Sequence, residues 1–148
     1  MSSSKFTIIV DTREKDVVSY DFEKFPVDVE RDKLDTGDYS IEGYEDEFAV
    51  ERKSLDDLAT SCGKDRDRFQ EQIRRGGDLG GFAVVVEGSR ESVEEAEYYS
   101  GIHPNSVLGT VDSWGRVHDV DFVFCEDEEH AELKTFQKLN LWYEQQVS

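Results

Sequence analysis

Basic residues are scarce in this chain: its 148 residues hold 17 lysines and arginines against 35 aspartates and glutamates, a formal charge of −18. Cysteine and proline are rarer still, two of each. Cys62 and Cys125 lie far apart without paired-ligand spacing, which excludes a disulfide framework and a cysteine-based zinc site and leaves reduced thiols as the default. His103, His118 and His130 have no metal-ligand spacing with each other or with cysteine, so they read as structural or exposed. No run approaches the ~18 apolar residues of a membrane span, and no apolar stretch follows the short polar start, residues 1–4. A soluble, intracellular protein without a membrane partner is the expectation. There is no internal repeat, linker or low-complexity segment, so one domain over residues 1–148 is expected.

What the chain has is apolar residues enough for a core, 36% hydrophobic and 11% aromatic, more than a disordered acidic tail would carry. Three readings of the charge compete: a partner-repelling surface, a mimic of nucleic acid, or adaptation to a very salty cytoplasm. The acid is spread along the whole chain rather than gathered in a block, which favours the third, in a halophilic archaeon or its virus. In molar salt the Debye length is only ~3 Å, so net charge then says little about partners.

Two periodicities alternate along the chain. Residues 6–10, 27–34, 38–41, 48–51, 82–86 and 120–124 are short, β-branched or aromatic and bounded by turn residues, as strands are. Helical stretches are expected at 54–60, where Ser54 and Asp57 have capping-box spacing, and at 65–75, ending before Gly76-Gly77. Others are expected at 91–99, at 104–114 with Pro104 at its start, and at 128–146. The last has an apolar stripe at Phe136, Leu139, Tyr143 and Val147 that Leu133, Leu141 and Trp142 widen beyond one face. One account is a broad core-facing helix; the other has one side on the core and the other on a second subunit. The order of elements points to an α/β domain with helices packed on a central sheet. "GGDLGG", residues 76–81, follows a helix and precedes a strand, so it is a turn and not a phosphate loop.

The tripeptide Glu51-Arg52-Lys53 in "VERKSLDDL" stands where a strand gives way to a helix. If 38–51 is a hairpin turning at Gly43–Asp46, Tyr39 lies opposite Val50 and Asp38 opposite Glu51. Apolar residues then share one face, with Asp38, Ser40, Ala49 and Glu51 on the other. Two carboxylates so placed have Cβ atoms roughly 5 Å apart and repel unless something neutralises them. A hard divalent cation, which takes oxygen ligands, would do so. Lys53 falls on the same face if the strand continues, where its ammonium could hold a phosphate or an attacking water; Arg52 points the other way. Asp11 ends the first strand in "IIVDTREK", followed by Arg13 and Glu14, delivering polar groups to one sheet edge. Each acid alone reads as a solvated surface group; three carboxylates and a lysine from three strands read as a site.

"VDTRE", "GDY" and "VERKSLDDL" together resemble the GD-x(n)-ERK-x3-D signature of the XPF family of structure-selective DNA endonucleases, which includes the archaeal Hef nucleases. Gly37-Asp38 supplies the GD, residues 51–53 the ERK and Asp57 the final acid, while Asp11, Arg13 and Glu14 match an upstream D-x-R-E. Arg68, Phe69 and Gln72 in "DRDRFQEQIRR", the "FAVVVEGS" strand and the last helix extend the likeness over nearly the whole chain. The resemblance implies a restriction-endonuclease-like three-layer α/β/α core with a mixed sheet. It implies Mg²⁺- or Mn²⁺-dependent hydrolysis of phosphodiester bonds in branched DNA (flap, fork or junction), in repair or recombination. By it, Asp11, Asp38 and Glu51 surround the metal, and Lys53 assists the nucleophilic water or stabilises the developing charge. Arg13, Glu14 and Arg52 support the site or touch DNA, and Asp57 anchors the local network.

Plainer roles stand beside these: a helix cap for Asp57, and salt bridges with the surplus acid for Arg13 and Arg52. Lys64, Arg66, Arg68, Arg74 and Arg75 concentrate the scarce basic residues in one region, a DNA-binding surface or a mixed-charge solvated helix. Many family members carry a helix-hairpin-helix module that binds DNA and reinforces dimerisation; here the expectation is a nuclease domain with neither that module nor a helicase. The resemblance implies a homodimer through the C-terminal helices, with room for a separate DNA-binding partner. The alternatives are a non-catalytic scaffold subunit, an acidic DNA mimic, and a nuclease without structure selectivity.

Overall fold

The computed structural model describes residues 4–13 and 19–148. Its strands are β1 (Thr7–Asp11), β2 (Asp28–Asp32), β3 (Tyr39–Ile41), β4 (Phe48–Ser54), β5 (Gly81–Glu87) and β6 (Asp121–Phe124). Its helices are α1 (Leu55–Cys62), α2 (Arg66–Gly77), α3 (Arg90–Glu94), α4 (Pro104–His118) and α5 (Glu128–Val147). The strands form one sheet in the order β2-β1-β3-β4-β5-β6. It is mixed: β3 runs antiparallel to both β1 and β4, and the other neighbours are parallel.

Alternation along the strands builds two cores. Ile8, Val10, Tyr39, Ile41, Val50 and Val85 point to one face, where Ala131 and Leu139 of α5 cover them. Ala49, Val84 and Val86 point to the other, covered by Leu58 of α1, Phe69 and Ile73 of α2, Val93 of α3 and Val107 of α4. Each fully buried aliphatic side chain contributes about 1.5–3 kcal/mol. The result is the expected three-layer α/β/α arrangement. Of the α5 stripe, Leu139 is fully buried, Phe136 stacks on Phe25 and Tyr143 on Phe6, while Val147 is exposed. Trp142 stacks on Phe48. Leu133 and Leu141 face solvent.

The element ends differ from the sequence expectation in three informative places. β4 runs on to Ser54, three residues past Glu51, because its parallel pairing with β5 continues to Ser54–Glu87. The helix expected at 91–99 stops at Glu94. Ala96 takes a left-handed conformation (φ 55°), its N–H bonds to Val93 O, and Glu97 N–H bonds to Ser92 O, a pattern of helix termination usually built on glycine. α4 continues past Trp114 to His118, where Asp119 (φ 55°) caps it. At the end of α2, Gly76 lies so close to Phe82 that a Cβ there would stand 2.2 Å from the ring, so the missing side chain lets the helix sit down on β5.

Both cysteines are free and buried, and burial raises each thiol pKa to about 11. Nδ1 of His103 accepts from Asn105 N–H, and Nδ1 of His130 from Glu126 N–H, both structural tasks. No helix among the described residues is long and apolar enough to cross a membrane.

Candidate active site

The period-two alternation of β4 decides which of its charges meet. Ala49 packs toward α2 and Val50 toward α5, so Glu51 and Lys53 face α2 and Arg52 faces α5. The contacts agree. Nζ of Lys53 lies 4.9 Å from the centroid of the Phe69 ring on α2, and 4.0 Å from Oε2 of Glu51. On the other face Nε of Arg52 donates to Oε2 of Glu87 at 2.8 Å, Nη2 lies 3.5 Å from Glu128, and the guanidinium covers the Tyr20 ring at 4.1 Å. Tyr20 Oη also donates to Glu87, at 2.6 Å. Burial opposes the Arg52 charge, but Tyr20, Tyr39 and Glu87 outweigh it and leave the pKa raised. Arg52 therefore ties β4 to the far layer, the salt bridge with surplus acid that the sequence allowed.

Gly37 and Asp38 show why that dipeptide has its order. Gly37 has φ +81°, and a Cβ there would meet Ala49 Cβ at 2.8 Å and Val50 O at 3.2 Å; only glycine lets the chain turn so close to β4. The register beyond it is the expected one, Tyr39 opposite Val50 and Ser40 opposite Ala49. Asp38 itself leaves the ladder: its N–H donates to Val50 O, its C=O accepts from Asp11 N–H, and its Oδ2 accepts from Arg52 N–H at 2.8 Å. The direct Asp38–Glu51 pairing expected from the sequence is thus replaced by a backbone cap on the Asp38 carboxylate, which eases the repulsion. Asp11, 1% exposed, accepts Leu34 N–H on Oδ1 and Nε of Arg13 on Oδ2. That hydrogen bond holds the Arg13 pKa above its ordinary value.

Asp11, Asp38 and Glu51 line one cleft of about 200 Å³ beneath α2. Asp35 adds a fourth carboxylate, against which stand two guanidiniums, Arg13 and Arg75. A second recess shares Glu51 and Gln72 with the first and carries Lys53, Asp57 and Arg68. Asp35 and Gln72 thus join the cleft; Gln72 stood in the sequence beside Arg68 and Phe69, whereas Asp35 had no signal beyond its nearness to Gly37-Asp38. Asp57 is exposed, and its N–H donates to Ser54 Oγ at 3.1 Å, the expected helix cap. Glu14 lies outside the described residues.

The basic residues divide. Arg75 lines the cleft, and its side chain makes no hydrogen bond or ion pair among the described residues. Lys64 is exposed. Arg68 pairs with Asp65 at 3.7 Å, and Arg74 with Glu71 and Asp78. Arg66, although exposed, lies back against α4, donating to Thr110 Oγ1 at 2.7 Å and to Cys62 O, with its guanidinium over Trp114.

The cleft's donor set is carboxylate oxygen without histidine or thiol, with acid in excess, which suits a hard divalent cation. Among the described residues no three acidic side chains already converge as a metal cluster. One reason is that both Asp11 oxygens and one of Asp38 already accept hydrogen bonds.

The ERCC4 domain profile matches residues 10–134. No curated protein matches the sequence. Among solved structures, XPF from Aeropyrum pernix is similar at 25% identity with a TM-score of 0.74, over 91% of this chain and 60% of that one. A second structure of XPF from Aeropyrum pernix, in complex with DNA, shares the fold at 22% identity and a TM-score of 0.72, over 97% of this chain and 68% of that one. The chain therefore spans less than two-thirds of the first structure's length. A match across 125 consecutive residues, from the end of β1 into α5, establishes that the chain belongs to the ERCC4 domain family.

Proposed function

We propose that this chain is a metal-dependent DNA endonuclease, its nuclease unit spanning residues 1–148, which hydrolyses phosphodiester bonds in branched DNA during repair or recombination. The observation that carries the reading is the cleft where carboxylates from β1, β4 and the turn before β3 meet, with Lys53 beside it and, at its wall, Arg75, whose side chain has no ion pair among the described residues. Asp11, Asp38 and Glu51 would hold Mg²⁺ or Mn²⁺. The bound cation would neutralise the scissile phosphate and make water a better nucleophile. Lys53, kept on the site face by strand alternation, stabilises negative charge growing on the phosphate or steers the attacking water. Arg75 holds a neighbouring phosphate, and Ser54 caps α1 through the Asp57 N–H, which fixes the end of β4 and leaves the Asp57 carboxylate free to anchor the local network. Glu14 and Lys64 remain supporting and DNA-binding candidates on the family resemblance.

Wild type and Lys53→Ala are incubated with Mn²⁺ in molar salt and labelled duplex, flap and forked DNA. Wild type is expected to cut flap or fork fastest, and Lys53→Ala about 10²-fold slower. No cutting of any substrate by folded wild type would favour the scaffold reading; equal cutting of duplex and fork would remove the structure selectivity.

The ion pairs on α2 predict unequal roles in DNA binding. Arg75→Ala is expected to weaken binding about tenfold and lower the salt slope by about one, whereas Arg74→Ala, already paired with two carboxylates, changes it less than about twofold. Fluorescence anisotropy over a salt series checks this, and equal effects would move the binding surface outward along α2.

A homodimer through the C-terminal helices and adaptation to a salt-rich cytoplasm complete the reading. Leu133, Leu141 and Val147 on α5 and Val117 on α4 are exposed, which supports the first, and the dispersed acid supports the second. Light scattering in molar salt should give twice the 17.0 kDa chain mass, and circular dichroism should fall on dilution into low salt. Monomer mass at every concentration removes the dimer, and full structure in dilute buffer removes the salt adaptation.

A further inference from the structure

Arg13 combines two properties that rarely go together. Its side chain is 67% exposed, yet its Nε donates to the carboxylate of Asp11, which is 1% exposed. Nη2 donates to Leu34 O at 2.9 Å, and the N–H of the same Leu34 holds Oδ1 of Asp11 at 3.0 Å. One oxygen of Asp11 is thus fixed by backbone, and the other is held by a cation on a solvent-exposed stalk. The fixed bond orients the carboxylate whatever sits on Oδ2.

Any divalent cation using Asp11 meets Arg13 first, since both seek Oδ2. Asp11, Asp35, Asp38 and Glu51 surround the cleft, so a doubly charged ion gains more there than a singly charged guanidinium. The guanidinium, being exposed, loses little on leaving. Its planar fork then suits a phosphate oxygen pair as well as it suited Asp11 and Leu34.

We propose that Arg13 is an exchangeable counter-ion: it neutralises Asp11 until a divalent cation enters the cleft, and the displaced guanidinium then binds a DNA phosphate. The inference rests on the metal-dependent nuclease reading and deepens it. Metal loading and DNA grip become one exchange, with Arg13 favouring DNA and opposing the metal.

Opposite signs make the test sharp. Mn²⁺ binding to the full chain, without DNA, is followed by loss of the free-ion electron paramagnetic resonance signal for wild type, Arg13→Gln, Arg13→Lys and Glu51→Gln. Arg13→Gln should bind Mn²⁺ about five- to tenfold tighter, as expected when a neighbouring positive charge is removed. In anisotropy with Ca²⁺ it should bind forked DNA about tenfold weaker. Arg13→Lys, which keeps the charge but not the fork, should fall between. A purely structural role would weaken both interactions. If wild type binds Mn²⁺, Glu51→Gln does not, and Arg13→Gln binds no tighter than wild type, the exchange is wrong while the metal site stands. If wild type binds no Mn²⁺, both fall. Should Arg13→Gln fail to melt cooperatively, Arg13→Lys carries the test, and Mn²⁺ binding no tighter than wild type overturns the proposal.

Discussion

Glu51→Gln should lower single-turnover cleavage by about 10³-fold or more and leave the melting temperature unchanged or slightly higher. The carboxylate is one of four in the cleft, so replacing it by an isosteric amide removes repulsion from the folded state while deleting one anionic ligand of the proposed metal site. Its pair with Lys53 is long, 4.0 Å, and the amide keeps an acceptor oxygen in the same place. Function and stability therefore move apart. Cleavage within tenfold of wild type by the folded variant would show that Glu51 is not part of the metal site.

One residue along, Arg52→Met should do the reverse, destabilising the fold by about 3–5 kcal/mol, the range for breaking a buried ion pair on one side. The Arg52 and Glu87 side chains are 13% and 11% exposed, so the carboxylate left behind cannot recover its water and, among the described residues, keeps the Tyr20 hydroxyl as donor. The cation–π contact with Tyr20 is lost as well. Burial screens the pair from salt, so molar salt should not erase the effect. Arg52→Met/Glu87→Leu should recover much of the loss, because the isolated charge is then gone. Denaturant unfolding of the three proteins measures this; a loss below about 1 kcal/mol for the single variant would mean that the network is not what holds β4.

These two substitutions separate what the sequence made legible from what it hid. The face of each residue in 51–53 follows from strand alternation, as does that of Asp11, whereas Asp38 reaches the same cleft through the left-handed turn at Gly37. Which acid would receive Arg52 was not legible: Glu87 lies 35 residues on, and Tyr20 32 back, and only the assembled sheet brings them together. Arg66 looked like its neighbours in a basic helix until Trp114 and Thr110 of α4 gave it partners. The early end of α3 was hidden for a different reason: Ala96 is a strong helix former held at positive φ, against its intrinsic preference. The pairing of Arg13 with Asp11 also lay beyond sequence spacing, since it depends on Leu34 arriving from the far side of β2.

The stitch from Asp11 N–H to Asp38 O, and from Asp38 N–H to Val50 O, has a bearing on fragments of this protein. A piece cut before β4 would keep Glu51, Arg52, Lys53 and the whole of α2, the most recognisable part of the chain, yet lack Asp11 and Asp38. A piece ending before β4 would keep those two acids and lose the Val50 carbonyl and Arg52 N–H that hold Asp38 in place. Neither half owns the cleft, so a C-terminal fragment carries the most recognisable stretch of the chain without the site it belongs to.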